Sequence, residues 1–124
     1  MIDKKIDYVL PLDSTLLRSF RQSKGLNSLT EQEKELAYYL NFARRNPKFF
    51  LEKVINVFID NHPEIKSGNT SSLQKTFQQL SALPTIFPDS TLSFIARSHA
   101  TDLRVHNTIS HQSSDGRKFS DRVG

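Results

Sequence analysis

Apolar side chains recur along most of this chain at intervals of three and four residues, the spacing that lines one face of a helix. Ahead of Leu36, Tyr39, Leu40 and Ala43 stands Thr30-Glu31-Gln32-Glu33, a capping box in which the threonine hydroxyl and the glutamate carboxylate satisfy each other's backbone donors. That predicts a helix to about Arg45 with those four residues buried. Asn46-Pro47 stops it and starts another at once, because proline at the first helical position lacks a donor that would be unpaired anyway. The second helix should turn Phe50, Leu51, Val54 and Phe58 inward. His62-Pro63 and Ser67-Gly68-Asn69 mark a loop with its tip near Gly68. Ser71 to Gln74 reads as a second capping box, opening a helix with Leu73, Phe77 and Leu80 on one face. Leu83-Pro84-Thr85-Ile86-Phe87-Pro88 is an extended connector, since its prolines forbid a helix across it. Asp89 or Ser90 caps the last long helix, whose face of Leu92, Ile95, Ala96, Ala100 and Leu103 is to be buried and which ends near Val105. No segment alternates with period two between turn residues, so no core strand is expected and the chain reads as mainly α.

Residues 1–28 read as an N-terminal extension ahead of a domain at 29–124. Within the extension, Val9 to Leu12 is an extended piece, and Asp13 caps a brief helix with Leu16, Leu17 and Phe20 on one side, ending near Gly25.

Composition narrows the function classes. A chain of 124 residues is one domain by size and can bury on the order of two thirds of the surface its unfolded form exposes. Its apolar share is 36%, with nine Phe, three Tyr and no Trp, so the core should be rich in Phe and Leu. The absence of cysteine excludes disulfides, thiolate metal sites and a cysteine nucleophile. The net charge of +4 comes from Lys and Arg scattered among Asp, Ser and Gln, which argues against a nucleic-acid-binding stripe. A small basic helical nucleic-acid binder is therefore the third reading, and it predicts affinity that falls steeply with salt. No apolar run approaches the ~20 residues that span a bilayer. The N-terminus MIDKKIDYVLPLDS has no continuous apolar run to act as a signal peptide, so an exported form would have lost its signal.

Two stretches resemble a known family. LTEQEKELAYYLNFARRNPKFF is similar to the opening helix of bacterial members of the CAP superfamily, the SCP-like or cysteine-rich-secretory-protein-type domains, in which an Asn and an Arg precede a Pro followed by aromatics. The later stretch LPTIFPDSTLSFIARSHATDLRVHNTISHQSSDGRKFSDRV resembles that family's L-x-x-A-x-x-H-A-x-D-x helix followed by H-x-x-x-D-G-x-x-x-x-D-R. The resemblance implies an extracellular or periplasmic domain built as an α-β-α sandwich around a cavity with two histidines and two acidic residues, sometimes holding a divalent metal such as zinc. His111 corresponds to the first cavity histidine. Asn41, Arg44 and Pro47 carry the signature of the first helix, and Asp102, Gly116, Asp121 and Arg122 that of the second stretch. The family's further cavity residues lie in G-E-N and S-x-x-H segments that this chain does not contain. It is expected to be the helical first part of the sandwich, incomplete at the C-terminus, as a fragment or a shortened relative, with the central strands largely missing.

The leading functional expectation is an extracellular binding module, for a lipid, a cell-wall component, a protein partner or a divalent metal, acting through a cavity that contains His111, His99 and Asp115. The alternative is a metal-assisted or histidine-based hydrolase with His111 as ligand or general base. Alone, His111 is a poor metal site, because zinc takes three or four ligands held together; its structural alternative is a ring bonded to the Asp115-Gly116 turn. His99, seven residues after Leu92, reads as a packing histidine beside the buried face, and a His99, His106, His111 cluster is a further arrangement. Asp115-Gly116 reads as a turn with glycine at positive φ. Ser120 is the expected cap of a following helix, Arg122 an ion-pair partner for Asp102 or Asp115, and Arg44 a forked donor to a neighbouring loop. Without strands to cover them, Leu92, Ile95, Leu103, Phe50, Val54 and Phe58 would leave an apolar patch, so self-association or a domain-exchanged homodimer is expected.

Overall fold

In the computed structural model, which describes residues 10–124, helices begin where capping side chains and proline direct them. Helix α1 (Ser14–Arg21) is capped by Asp13, whose carboxylate accepts from Leu16 N–H at 3.0 Å. Helix α2 (Glu31–Arg45) opens on the expected capping box: Glu33 N–H donates to Thr30 Oγ1 at 3.2 Å and Thr30 N–H to Glu33 Oε1 at 2.8 Å. It stops at Asn46, and Pro47 is the first residue of α3 (Pro47–Phe50). That helix runs through a π-helical turn (Leu51–Ile55) into α4 (Asn56–Asn61). Then come α5 (Gly68–Gln79), α6 (Ser90–Val105) and the short α7 (Phe119–Val123). The described residues contain no strand, and none of their helices is long and apolar enough to cross a membrane. Val9 of the expected extended piece, and the stretch before it, lie outside the described residues.

The buried apolar set is Leu16 and Phe20 of α1, Phe42 and Ala43 of α2, and Leu51 and Ile59 from the α3–α4 rod. Full burial of one such large side chain contributes about 1.5–3 kcal/mol. The first two come from the stretch expected to be an extension; residues 10–28 pack on α2 and, through a 3-10 turn at Lys24–Ser28, on α6. Phe42 meets Phe49 edge-on with ring centroids 6.0 Å apart, and Phe50 lies 6.3 Å from Phe77, which joins α5 to α3. The connector after α5 is held to α2 by polar bonds. Asn41, buried, donates to Ile86 O at 2.8 Å and accepts from Ile86 N–H at 2.7 Å. Arg44 Nε and Nη2 both donate to Pro84 O at 3.2 and 3.1 Å, and Leu83 N–H donates to Arg44 O at 2.8 Å.

Several buried faces differ from expectation. On α2, Leu36, Tyr39 and Leu40 are exposed while Asn41 and Phe42 are buried, because the connector bonds to Asn41 and the rings of Tyr38 and Phe49 pack against Phe42 in tilted and edge-on contacts. On α4, Ile59 is buried and Phe58 is 43% exposed. The π-helical turn inserts one extra residue into the helix, which rotates everything after it by about 100° and exchanges those two positions. Helix α5 starts one turn earlier than expected: Asn69 N–H donates to Ser67 Oγ and Ser67 N–H to Thr70 Oγ1, so Gly68 opens the helix and is not a loop tip. No side chain of α6 is buried; Leu92 is 54% and Phe94 71% exposed, and Ile95 and Leu103 are only partly covered. Of the six residues expected to leave an apolar patch, Leu92 and Phe58 are exposed, while Phe50, Val54, Ile95 and Leu103 are partly covered.

Asp13 joins several of these elements. Its carboxylate accepts from Leu16 N–H, from Arg45 Nε at 2.9 Å and from Asn46 Nδ2 at 3.2 Å, and its own N–H donates to the Tyr38 hydroxyl at 3.1 Å. Burial works against the charge, but the Leu16, Arg45 and Asn46 hydrogen bonds together with the guanidinium outweigh it and hold the carboxyl below its ordinary value. A carboxyl depressed in the fold stabilises it above the unfolded pKa, and that contribution is lost as pH falls through the folded value. Asp13→Asn keeps a cap but loses the ion pair, so it is expected to cost about 1.5 kcal/mol at pH 7, a deficit that shrinks as pH falls through the carboxyl's lowered folded value. Urea unfolding followed from pH 7 down through the acid range checks this: a deficit of the same size throughout would contradict the assignment.

Candidate functional site

Helix α6, from Phe94 to Asp102, and the chain after it enclose an open cleft of about 290 Å³. Helix α6 forms because Asp89 Oδ1 accepts from Leu92 N–H at 2.9 Å and no proline interrupts the sixteen residues that follow. Positions 95, 98, 99 and 102 fall on one stripe of it. The chain leaves at Asn107, with φ 51°, and doubles back so that the segment Ser113–Arg117 faces that stripe. Gly116, at φ 91°, completes the turn, its N–H donating to Ser113 O at 2.9 Å; Ser113 N–H donates to Arg117 O at 2.8 Å. Asp115 bonds its own turn, accepting from Arg117 N–H at 3.1 Å and from Arg117 Nε at 2.8 Å.

Asp102 is the centre of the cleft's polar wall. It accepts from Ser114 N–H at 2.8 Å and from the Ser114 hydroxyl, and His106 Nδ1 lies 3.2 Å from Oδ1. The Ser114 hydroxyl and N–H hold its carboxyl below the ordinary value, against a smaller opposing effect of desolvation, and the nearby imidazoles of His106 and His99 add to the lowering. His99 Nε2 lies 2.9 Å from Ser110 O. A carbonyl only accepts, so this nitrogen carries the proton, and in the neutral ring Nδ1 is a bare lone pair. That Nδ1 is buried and has no partner among the described residues, so the ring is hydrogen-bonded there on one side only.

Of the candidate site residues, His99, Asp102, Asp115 and Arg122 line this cleft, while His111 is exposed in the loop that forms its far wall and is not among the lining residues. The Asp115-Gly116 turn closes without the His111 ring, since its bonds run to Arg117, Ser113 and Gln112. Arg122 does not pair with Asp102 or Asp115: their acceptors are taken by Ser114 and Arg117, and Arg122 Nη1 donates to Ser113 Oγ at 3.1 Å and Arg117 O at 3.3 Å. Asp121 accepts from Lys118 N–H at 3.0 Å, so Lys118 and not Ser120 is the N-cap of α7. Asn41, Arg44 and Pro47 lie away from the cleft, on α2, its contacts with the connector, and the start of α3. Ser113, Ser114 and Phe94 are cleft residues that the sequence reading did not single out; two hydroxyls before an Asp-Gly turn were the available signal.

Metal binding does not fit this arrangement. Among the described residues no three His, Asp or Glu side chains come together to hold an ion. His99, His106 and His111 do not converge, and Asp102 is already engaged by Ser114 and His106. Ser110, His111 and Asp115, the residue types of a hydrolase triad, are not hydrogen-bonded to one another: Ser110 Oγ accepts from Gln112 N–H at 3.0 Å and Asp115 accepts from Arg117. In comparison with known proteins, no family model, curated protein or solved structure matches the chain.

Proposed function

We propose that this chain is a binding module of the CAP/SCP-like type, working outside the cell or in the periplasm, which takes a hydroxyl-rich cell-wall glycan in the cleft between α6 and the loop that follows it. One observation carries the reading: His99, Asp102, Asp115 and Arg122, four residues of the motif-bearing stretch, line a single cleft together with the exposed ring of Phe94. Carboxylates, hydroxyls and guanidinium groups offer donors and acceptors, and the phenyl ring offers a flat apolar face. A pyranose ring presents the matching mixture, whereas an acyl chain matches only the apolar part. Catalysis is the weaker reading, since a nucleophile would have to be hydrogen-bonded to a base oriented by a third group.

Titration of isotope-labelled protein with soluble peptidoglycan fragments tests the proposal. Saturable shifts are expected at the amides of Phe94, Asp102 and Ser113 and at the His111 ring. Phe94→Ala is expected to weaken binding by roughly tenfold, the ~1.4 kcal/mol scale of one aromatic contact. Shifts confined to other parts of the surface, or none, would defeat the assignment, and release of cleaved sugar would put the hydrolase in its place.

A further inference from the structure

We infer that His99, Asp102 and Arg122 are positioning residues that tie the loop between α6 and α7 into one shape and so fix the Ser113–Arg117 wall of the cleft for the ligand; this rests on the binding role proposed above. The loop starts at Asn107 with a left-handed φ of 51° and Thr108 N–H turned back to Leu103 O at 3.0 Å. Three side chains from outside it then fasten its backbone and hydroxyls. His99 Nε2 holds Ser110 O at 2.9 Å, Asp102 holds Ser114 through its N–H at 2.8 Å and its hydroxyl, and Arg122 Nη1 holds Ser113 Oγ at 3.1 Å. The first two stand one turn apart on α6 and the third is on α7, so the loop is tied from both flanks. His111 lies between the first tie and the other two, exposed, with no hydrogen bond to a described residue.

Core packing does not explain this fastening. Ile109, Ser110, His111 and Gln112 are all exposed, so the loop covers little apolar surface that would order it. His99 makes the point by itself: its Nδ1 is buried without a partner among the described residues, so packing gains nothing from an imidazole that an apolar side chain would not give, and the Ser110 tie is what the ring supplies. An exposed loop held by bonds and not by burial is accounted for if its shape matters to what it meets, because a ligand that finds the loop ordered does not have to order it on binding.

The test compares His99→Leu, Ser114→Ala and His99→Gln in the full chain. The glutamine amide can reach the Ser110 carbonyl as Nε2 does, so it should rescue what leucine loses. Backbone order parameters at residues 109–112 are expected near ~0.85 in the unmodified chain and in His99→Gln, and below ~0.6 in His99→Leu. Ser114→Ala, at an exposed side chain, should loosen the same residues with its thermal midpoint almost unmoved. Affinity for peptidoglycan fragments should fall about tenfold in both loosened variants and return in His99→Gln. Unchanged order at 109–112 in Ser114→Ala and in any folded His99→Leu overturns the inference, as does a loosened loop that binds fragments with undiminished affinity. Loss of loop order in a chain that never bound the fragments would uphold the ties and defeat the binding reading alone.

Discussion

Asn41→Ala is expected to lower stability by about 3 kcal/mol and to release the connector at residues 83–88. The side chain is 1% exposed and makes three bonds: Oδ1 accepts from Ile86 N–H, and Nδ2 donates to Ile86 O and to Ala37 O at 3.0 Å. It thereby does for the connector what a neighbouring strand would do, pairing one residue's donor and acceptor at once. Alanine removes both partners and leaves a hole beside Phe42, so lost hydrogen bonds and a cavity add. Asn41→Asp should be no better, since it removes the donor and aims a buried charge at the Ile86 and Ala37 carbonyls. The checks are the urea midpoint and amide exchange at Ile86. An unmoved midpoint with Ile86 still protected would show that Pro84 and Leu83, held by Arg44, are sufficient to keep the connector in place.

Asn41 also shows which parts of the fold could be seen in the sequence. Helix starts at Asp13, Thr30 and Asp89 were legible because each is set by one side chain accepting from a backbone donor within a turn of it, and the start at Pro47 because proline at the first helical position gives up only a donor that would be unpaired. Buried faces were not. In Leu36-Ala37-Tyr38-Tyr39-Leu40-Asn41-Phe42-Ala43 almost every position is apolar, so periodicity admits several faces, and the choice falls to a long-range bond between Asn41 and Ile86. The exchange of Phe58 for Ile59 has the same character: a π-helical turn leaves no mark in an apolar pattern, yet it shifts every later residue by one.

In the cleft the difference lies between identity and connection. His99, Asp102, Asp115 and Arg122 were legible as motif positions, and Gly116 as a turn residue. Their partners were not, because Asp102 reaches Ser114 and His99 reaches Ser110 only after the chain has reversed at Asn107, a non-glycine residue with nothing in its identity that requires a left-handed φ. Once Ser114 has taken Asp102 and Arg117 has taken Asp115, Arg122 turns to Ser113, and the expected ion pairs are replaced by ties on the loop. His111 could be picked out by its motif position, but its exposure follows from that rearrangement.

Gly25→Ala is expected to cost about 1–3 kcal/mol, a fall of roughly 5–15 °C in the unfolding midpoint, although alanine is the better residue in helical turns by ~1 kcal/mol. The reason is space, since the conformation of Gly25 is not one reserved for glycine. A Cβ there would drive into the carbonyl group of Pro88, with Asp89 N close behind. Those are backbone atoms, so no rotamer change can clear them. Displacing them disturbs the cap of α6, because Asp89 holds Leu92 N–H, and strains the Arg97 bridge to Ser28 O and Glu33 at 3.0 and 2.9 Å. That bridge joins α6 to the α2 capping box, where hydrogen bonds from Thr30 and the Arg97 guanidinium hold the Glu33 carboxyl below its ordinary value. Gly68→Ala is the control: it opens α5 with nothing within 4 Å of the added carbon and should be neutral or slightly stabilising. If thermal unfolding found the two substitutions alike, the contact between the Lys24–Ser28 turn and the start of α6 would not be the tight junction described, and α6 would be free to sit further from α2.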